Sequence, residues 1–362
     1  MNWWRAFPRQ ETTNSRVVGV AILTLIALLV TIVLPPVANS ELAGGAAIAI
    51  VVLGLSWLTG WSGQISLGNS GFMAVGAYAA GIWAHHHLTT PVIFTLALAL
   101  VAGGLSGLVV AIPSTRLRGP YLAGMTLAFS AAVTPLAQNF TSVTGGEGGI
   151  FLNALVTPSW FAHFFHGQNA SINANAQWTA DLAVVVAGIM FFFMANLFHS
   201  RTGRAMRLVR DNDVAAELMG VNLSRTRTVA FVVSAAYAGV GGALYSLLQE
   251  SVRPETFPLT LSITLLTLMV LGGMGTLSGA VIGGIIYSFS ANLVAHVNSL
   301  TGVNPTSNLG ANMQGIIFGV LLILAMLFAS RGIVGLVTPL RRLWRVVMSR
   351  RRRLRDTLGT TQ

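Results

Sequence analysis

The sequence predicts an all-α polytopic membrane protein of about ten transmembrane helices, some short or broken. Three observations carry that prediction. Hydrophobic residues make up 54% of the 362-residue chain and charged residues only 9%, against about 25% charge in soluble domains. Apolar runs near the 20 or so residues that cross a bilayer recur along it. The charges collect between those runs, and nine of them lie in the 27 positions 201–227.

The spans read, in order, as 17–34, 42–59, 66–84, 91–112, 120–138, 179–198, 229–249, 259–273, 276–297 and 314–330. Arg5, Arg9 and Arg16 precede the first, with Trp3 and Trp4 as interfacial anchors. A cleaved signal peptide is a poorer reading: the apolar run is too long, although Ala38 and Ser40 offer a weak cleavage site. With residues 1–16 cytoplasmic, Arg116, Arg118, 201–227 and 331–355 all fall inside, as positive-inside orientation expects. The outer segments 85–90, 139–178 and 298–313 contain no Arg. Only Arg253, flanked by Glu250 and Glu255, is out of place. The Gly-rich spans 66–84 and 259–273 are the ones expected to be broken or re-entrant. The membrane-embedded body is then 17–337, with 139–178 as an external loop carrying a short helix near Trp160–Phe165, 199–228 as a cytoplasmic loop, and 338–362 as a basic tail. The long external loop reads as a functional element or as a spacer. The tail holds eight of the Arg and reads as a topology and anionic-lipid signal, with a specific partner site as the alternative.

Composition also excludes chemistry. All 21 basic residues are Arg, so the chain lacks the Lys of a nucleotide-binding P-loop. It has no Cys, which removes disulfides, thiolate catalysis and Cys-bound metals. The net charge of +11 sits at span ends and does not signify nucleic-acid binding. Glu41, Asp181, Glu250 and His296 lie at the edges of the spans as drawn. A path without buried ionisable groups argues against proton coupling and against an intramembrane hydrolase. Sodium held by backbone carbonyls stays open. No metal site is expected: His85, His86 and His87 are consecutive and cannot all face one ion. The lone Asn304-Pro305 pair is uninformative.

Two Gly-rich runs carry the candidate substrate path. In Gly60–Tyr78, Gln64, Ser66, Asn69, Ser70 and Gly71 stand where a span should be apolar. Such a backbone is tolerated at membrane depth only when buried in protein or lining a cavity. Close helix packing and a translocation path are both open readings. The run Leu271–Gly284, with Thr276 and Ser278, repeats the pattern: Ser70-Gly71 with Gly76 matches Ser278-Gly279 with Gly284. That weak similarity suggests two related halves. The turn Thr144–Ile150 reads as an anion- or amine-binding loop or as a flexible turn.

In 201–227, Arg201, Arg204, Arg207 and Arg210 fall on one helical stripe. Ala205, Leu208, Asn212, Ala215, Ala216 and Met219 are expected on the opposite, inward stripe. Gly220 is the expected stop and Ser224 the expected cap of the next span. Asp211, Asp213 and Glu217 count against simple adsorption to anionic lipid. Protein docking is the better reading.

Three runs, GWSGQISLGNSGFMAVGAYAAG, RTGRAMRLVRDNDVAAELMGVNLSRTRTVAFVVSA and SITLLTLMVLGGMGTLSGAVIG, together with TGGEGGI, resemble the permease subunits of bacterial ABC importers for branched-chain amino acids, of the LivM type. The resemblance covers most of 42–337. It implies a non-catalytic subunit of a multi-pass inner-membrane importer. Its implied partners are a second homologous permease, two ABC ATPases that bind the ATP, and a periplasmic binding protein; the chain itself carries no cofactor. Many such permeases contact the ATPase through E-A-A-x-x-x-G. Here Ala215, Ala216 and Gly220 match, Val214 stands at the Glu position, and Asp213 and Glu217 flank it. The resemblance therefore assigns ATPase coupling to Arg204, Arg207, Asp211, Asp213, Ala215, Ala216, Glu217 and Gly220. Competing readings are a permease of the same family for urea, amides or a sugar, a stand-alone channel or secondary carrier, and an integral-membrane enzyme.

Overall fold

The computed structural model describes residues 13–87, 91–114, 117, 119–152, 157, 161, 170–301, 315–321 and 323–324. Arg116 and Arg118, Asn304-Pro305, the N-terminal anchors and the basic tail lie outside them, as does all of the helix read near Trp160–Phe165 except Phe161. The protein is an all-α polytopic membrane protein, with a single pair of two-residue strands among the described residues. Besides the four-residue turn of helix Thr141–Thr144, the helices include α1 (Thr13–Val33), α2 (Pro36–Leu55), α3 (Asn69–His86), α4 (Val92–Ser114), α5 (Pro120–Asn139), α6 (Ala170–His199), α7 (Arg201–Asp211), α8 (Asp213–Leu218), α9 (Leu223–Leu248), α10 (Leu259–Gly272) and α11 (Leu277–Thr301). Helix α2 runs on as a π-helical turn, Ser56–Trp61.

Among the described residues, six helices are long and apolar enough to cross a membrane: those of Pro36–Trp61, Val92–Ser114, Pro120–Asn139, Ala174–His199, Leu223–Leu248 and Pro254–Gly272. Val17–Val33 and Leu277–Ser290 are shorter apolar helices. Helix α3 begins at Asn69, and the seven residues before it, Ser62–Gly68, belong to no helix except Ser62, which closes the π-turn. Helix α6 begins at Ala170, earlier than the sequence reading placed it. Asp181 therefore lies inside a spanning helix and not at its edge. Its carboxylate accepts a hydrogen bond from Thr31 at 2.6 Å and ties α6 to α1.

Helix α9 is the central post, with α2, α3 and α4 packed around it. Lipid tails are as apolar as Leu, so helix association relies on close backbone approach through small residues. Gly76 of α3 meets Gly239 of α9 so closely that an added Cβ would lie 2.3 Å from the Gly239 Cα. Gly239 in turn faces Gly103 of α4, and Gly284 of α11 abuts Gly45 of α2. The two glycines matched in the internal similarity, Gly76 and Gly284, thus each seat a helix crossing. The lipid-facing side of α4 is large and aliphatic, with Ile93, Val101, Leu105, Val109 and Ile112 exposed.

At the end of the bundle away from 201–227, the turn Thr144–Ile150 is pinned. Ile150 pairs antiparallel with Val252 and Phe151 with Ser251. Gly149 (φ +71°) lies against the Val252 carbonyl, where a side chain would not fit. Arg253 stacks 5.4 Å from the Phe151 ring. The turn is thus a packed latch between two loops. His85, His86 and His87 are exposed, and His87 stacks on Trp83 with ring centroids 4.3 Å apart. Among the described residues, no three His, Asp or Glu side chains are grouped to hold a metal.

Gly76→Val forces atoms into the α3–α9 crossing, and overpacking of this kind costs about 1–3 kcal/mol. The expected outcome is a fall of several degrees in the thermal unfolding midpoint of the purified protein. Gly124→Val, whose Cβ position has no neighbour within 4 Å, leaves the midpoint within a degree.

Candidate functional site

Trp61 and the chain that follows it join the charged segment to the interior of the bundle. The Trp61 indole N–H donates to the Gly275 carbonyl at 2.9 Å, which places the α10–α11 turn beside the end of α2. From there Ser62–Gly68 runs inward to Ser70, whose N–H donates to Ser262 Oγ at 3.0 Å. Ser262 lies ten residues before Gly272 on α10, so Ser70 stands about 15 Å inward from the α10–α11 turn. The remainder of α3, Ser70 to His86, covers about 24 Å toward the far end. Helix α3 is thus a half-helix whose N-terminus opens within the bundle.

Backbone N–H and C=O groups freed at such a break must find partners inside the protein. Hydroxyls supply them. Thr126 Oγ1 accepts from the Leu67 N–H at 3.0 Å, and Ser66 Oγ accepts from Gly68 N–H at 3.3 Å. Thr59 Oγ1 donates to the Gln64 carbonyl at 3.1 Å. Ser262 Oγ donates to Ser70 Oγ at 2.8 Å, and Ser70 Oγ lies 2.5 Å from Ser130 Oγ. Gly71 lets α5 approach, with an added Cβ only 2.9 Å from the Phe129 ring. The seam joins α3, α5 and α10.

Within this seam some groups stay unmatched. Asn69 is fully buried at the first position of α3, and among the described residues neither its Oδ1 nor its Nδ2 has a hydrogen-bond partner. Gln64 donates to Ser62 Oγ at 2.6 Å, but its Oε1 is unmatched. A buried polar group without a partner costs about 1–3 kcal/mol. The two amides lie where the α3 N-terminus also presents its positive dipole end. The arrangement offers donors, acceptors and no full charge.

Gln64, Ser66, Asn69, Ser70 and Gly71 are therefore gathered at one break. Thr276 and Ser278 are elsewhere. Thr276 Oγ1 caps α11, accepting from Gly279 N–H at 3.0 Å and donating to the Gly273 carbonyl at 2.9 Å. Ser278 is exposed beside it. Sequence reasoning missed Thr126, Ser130 and Ser262, single hydroxyls in apolar helices whose only signal is that three helices bring them to Ser70. Trp61 was missed as well.

The charged segment folds as two short helices, not one. Asn212 ends α7 and caps α8, accepting from Ala215 N–H at 3.1 Å. The inward stripe of α7 is Gly203, Met206 and Val209, one position off the expected Ala205 and Leu208. Gly203 sets this phase: an added Cβ would lie 2.5 Å from the Phe198 carbonyl, so α7 can fold back on the end of α6 only there. Ser200 caps α7, accepting from Gly203 N–H at 3.2 Å. Gly220 (φ +81°) stops α8, with Val221 N–H bonded to the Ala216 carbonyl at 3.0 Å and Gly220 N–H to Glu217 at 2.9 Å, the paired bonds of a Schellman turn. The cap of α9 is Asn222, not Ser224, with Arg225 N–H donating to Asn222 Oδ1 at 2.9 Å.

Two Arg of the expected outer stripe turn toward the membrane body. The Arg207 guanidinium lies 3.6 Å from the Trp61 ring centroid, and Arg210 donates to the Gly60 carbonyl. Partial burial lowers the Arg207 pKa, partly offset by Asp211, yet the group stays charged at neutral pH. Trp61 also stacks on Phe198 at 4.3 Å and Trp57 at 6.2 Å, so α2, α6 and α7 meet at one ring. Arg227 binds Asp213 at 2.6 Å. Arg204 donates to the His199 carbonyl at 2.9 Å. Ala216 is buried, while Asp211 and Glu217 are exposed. Met219, expected inward, is 73% exposed, and Val214 and Leu218 are 67% and 84% exposed. These three form an apolar knob on an otherwise polar loop.

Comparison with known proteins agrees with the geometry. The family described as branched-chain amino acid transport system / permease component matches residues 40–326. The high-affinity branched-chain amino acid transport system permease protein LivM of Salmonella typhimurium is 29% identical over 304 residues, covering 80% of this chain and 68% of that protein. The corresponding LivH protein of the same organism is 25% identical over 301 residues, covering 80% and 92%. A probable LivM permease of Methanocaldococcus jannaschii is 24% identical over 257 residues, covering 68% and 70%. No solved structure matches.

Asp213 and Arg227 retain 28% and 12% of their side-chain exposure, a setting in which an ion pair contributes about 0–1 kcal/mol. Asp213→Asn should lower the unfolding midpoint by two degrees or less. Trp61→Ala, which empties a three-element stack, should lower it by more than five in the same assay.

Proposed function

The chain belongs to the branched-chain amino acid transport permease family, and from that premise we propose that it is the membrane-spanning permease subunit of an ATP-driven importer of branched-chain or related amino acids, working by alternating access. The observation that carries the reading is the interior break before α3. There an uncharged set of amides, hydroxyls and a helix N-terminus lies within an apolar bundle. A zwitterion with an aliphatic side chain suits such a site. The helix N-terminus and Ser70 meet its carboxylate, the Asn69 and Gln64 carbonyls meet its ammonium, and apolar walls accept the side chain. Gln64, Ser66, Asn69, Ser70 and Gly71, joined by Ser130 and Ser262, are the proposed substrate path. Thr276 and Ser278 support it from the turn beneath Trp61.

Residues 199–228 form the cytoplasmic coupling loop in this reading. The exposed Val214, Leu218 and Met219 with Glu217 dock a partner ATPase; exposed apolar knobs of this kind mark protein contacts. Ala215, Ala216 and Gly220 give the loop its shape, and Arg204, Asp211 and Asp213 hold its charge pattern. Arg207 and Arg210 pass its displacement to Gly60–Trp61 and so to the chain leading to Asn69. The chain binds no ATP or other cofactor itself. Two ATPases, a second homologous permease and a periplasmic binding protein complete the importer, with both termini cytoplasmic and 139–178 outside. About ten membrane segments in two related halves, with α3 and α10 short, make up the body.

The test is uptake of radiolabelled leucine by proteoliposomes carrying the complete complex. Asn69→Leu removes a buried amide that lacks a partner, so the unfolding midpoint holds or rises while uptake falls at least tenfold. A fall in the midpoint with uptake intact sinks the path assignment. A joint Arg207→Ala, Arg210→Ala variant should keep ATPase subunits bound and ATP hydrolysis running while uptake drops at least tenfold. Uptake that still follows hydrolysis would refute the route through Trp61. Transport by the purified chain alone, without ATP, would favour a channel or secondary carrier.

A further inference from the structure

We infer that Phe129 of α5 sets the largest side chain the substrate path admits, which makes it a specificity-determining residue. The inference rests on the path assigned above and adds the wall that meets the apolar part of the substrate.

The start of α3 is bare on one face. Gly68 and Gly71 lie three residues apart at its first turn, and α5 covers them with Thr126 and Phe129, also three apart and so on one face of that helix. A Cβ on Gly68 would lie 3.0 Å from the Thr126 carbonyl, and one on Gly71 would lie 2.9 Å from the Phe129 ring. The ring therefore rests directly on the backbone of the break. Thr126 and Ser130, on either side of it, commit their hydroxyls to the Leu67 N–H and to Ser70 Oγ. What α5 sets against Gly71 is bulk without polarity.

Phe129 packs on Phe72 with ring centroids 4.9 Å apart and planes tilted by 34°, a favoured aromatic arrangement. Phe72 is fully buried, while Phe129 is half-buried. The span Pro120–Asn139 is also the least buried of the six. Phe129, and not Phe72, is thus the part of the wall that a ligand can press against and displace.

Asn69 and Ser70, which meet the charged groups of the substrate in the reading above, share the first turn of α3 with Gly71 and Phe72. A substrate held there projects its side chain within about one 5.4 Å turn of the aromatic pair. A branched aliphatic chain ends against the rings. An aromatic chain would have to occupy the volume of Phe129 itself. In an apolar pocket one methylene more or less changes discrimination by about 10–200-fold, so a single ring is enough to set the limit.

The experiment uses the purified permease with its co-purifying subunits and omits the binding protein, whose own selectivity would mask that of the path. Alanine, valine, leucine, phenylalanine and tryptophan are titrated, and the half-saturating concentration of each is read from the shift of the thermal unfolding midpoint. The unaltered complex should respond to valine and leucine and not to tryptophan. Phe129→Ala should lower the half-saturating concentration of phenylalanine at least tenfold. Phe129→Trp should raise that of leucine at least tenfold and leave that of alanine within twofold. Phe129→Leu replaces the Ala variant if that one folds poorly, and should shift the series the same way by a smaller factor. A purely structural ring would lower the midpoint without ligand and leave the order of the series unchanged; that result overturns the inference. Shifts of the same sign in the Ala and Trp variants overturn it too. If leucine acts on the unaltered complex but not on Asn69→Leu, an unchanged series in the Phe129 variants sinks this inference alone. If no amino acid acts on the unaltered complex, the path assignment falls with it.

Discussion

The rest of the structure depends on one constraint: a polypeptide in hydrocarbon must satisfy its own backbone hydrogen bonds. The spanning helices obey it within themselves. The stretch between Trp61 and Asn69 does not: Thr59, Thr126 and Ser66 meet the Gln64 carbonyl and the Leu67 and Gly68 N–H groups, and Ser262 meets the Ser70 N–H just beyond it. Those hydroxyls come from the π-turn, the stretch itself, α5 and α10. The break therefore dictates which helices must be neighbours there. It also explains why Ser and Thr appear singly in helices that are otherwise apolar.

The second determinant is how closely helices approach. Gly76, Gly103 and Gly239 let α3, α4 and α9 touch backbone to backbone, which seats the half-helix rigidly from the side. One wall of α3 is thus fixed by glycine and the other by hydroxyls of α5 and α10. A rigid element with a buried polar start is a sound support for a small zwitterionic ligand, because little side-chain freedom remains to be lost on binding.

Much of this was legible in the sequence, and the parts that were not share a cause. The break itself showed as Gly and polar residues where a span should be apolar, and the gathering of Gln64, Ser66, Asn69 and Ser70 follows from their proximity along the chain. Gly220 as a stop was legible because a positive φ favours Gly locally. The inward face of α7 was misread by one position because its phase is set by contact between Gly203 and the end of α6, a constraint no local periodicity contains. Asn222 displaced Ser224 for a similar reason: the extended turn after Gly220 starts α9 two residues earlier than a Ser224 cap would. Ser130, Ser262, Thr126 and Trp61 gave no signal at all, since their meaning comes from partners scores of residues away.

Coupling requires more than any single contact here can supply. Taking a two-state equilibrium from 1:99 to 99:1 needs about 5.5 kcal/mol of differential interaction. A cation–π contact such as Arg207 on Trp61 provides about 0.5–2 kcal/mol, and the Asp213–Arg227 pair about 0–1 kcal/mol. These contacts cannot drive a rearrangement; they can only keep the loop from sliding while force is applied. What resists melting is the geometry around them: caps at Ser200, Asn212 and Asn222, the Gly220 stop, and a Trp61 ring shared by Phe198 and Arg207. Many modest fixings close a short loop on both sides, so in the proposed coupling a displaced α7 carries Gly60 and Trp61 with it. Beyond Ser62 the chain has no helix of its own until Asn69, and the hydroxyls of Thr59 and Thr126 that meet its backbone sit on flanking helices. In the proposed coupling, a shift at Trp61 travels along this stretch to the Asn69 amide, whose side chain has no hydrogen-bond partner among the described residues.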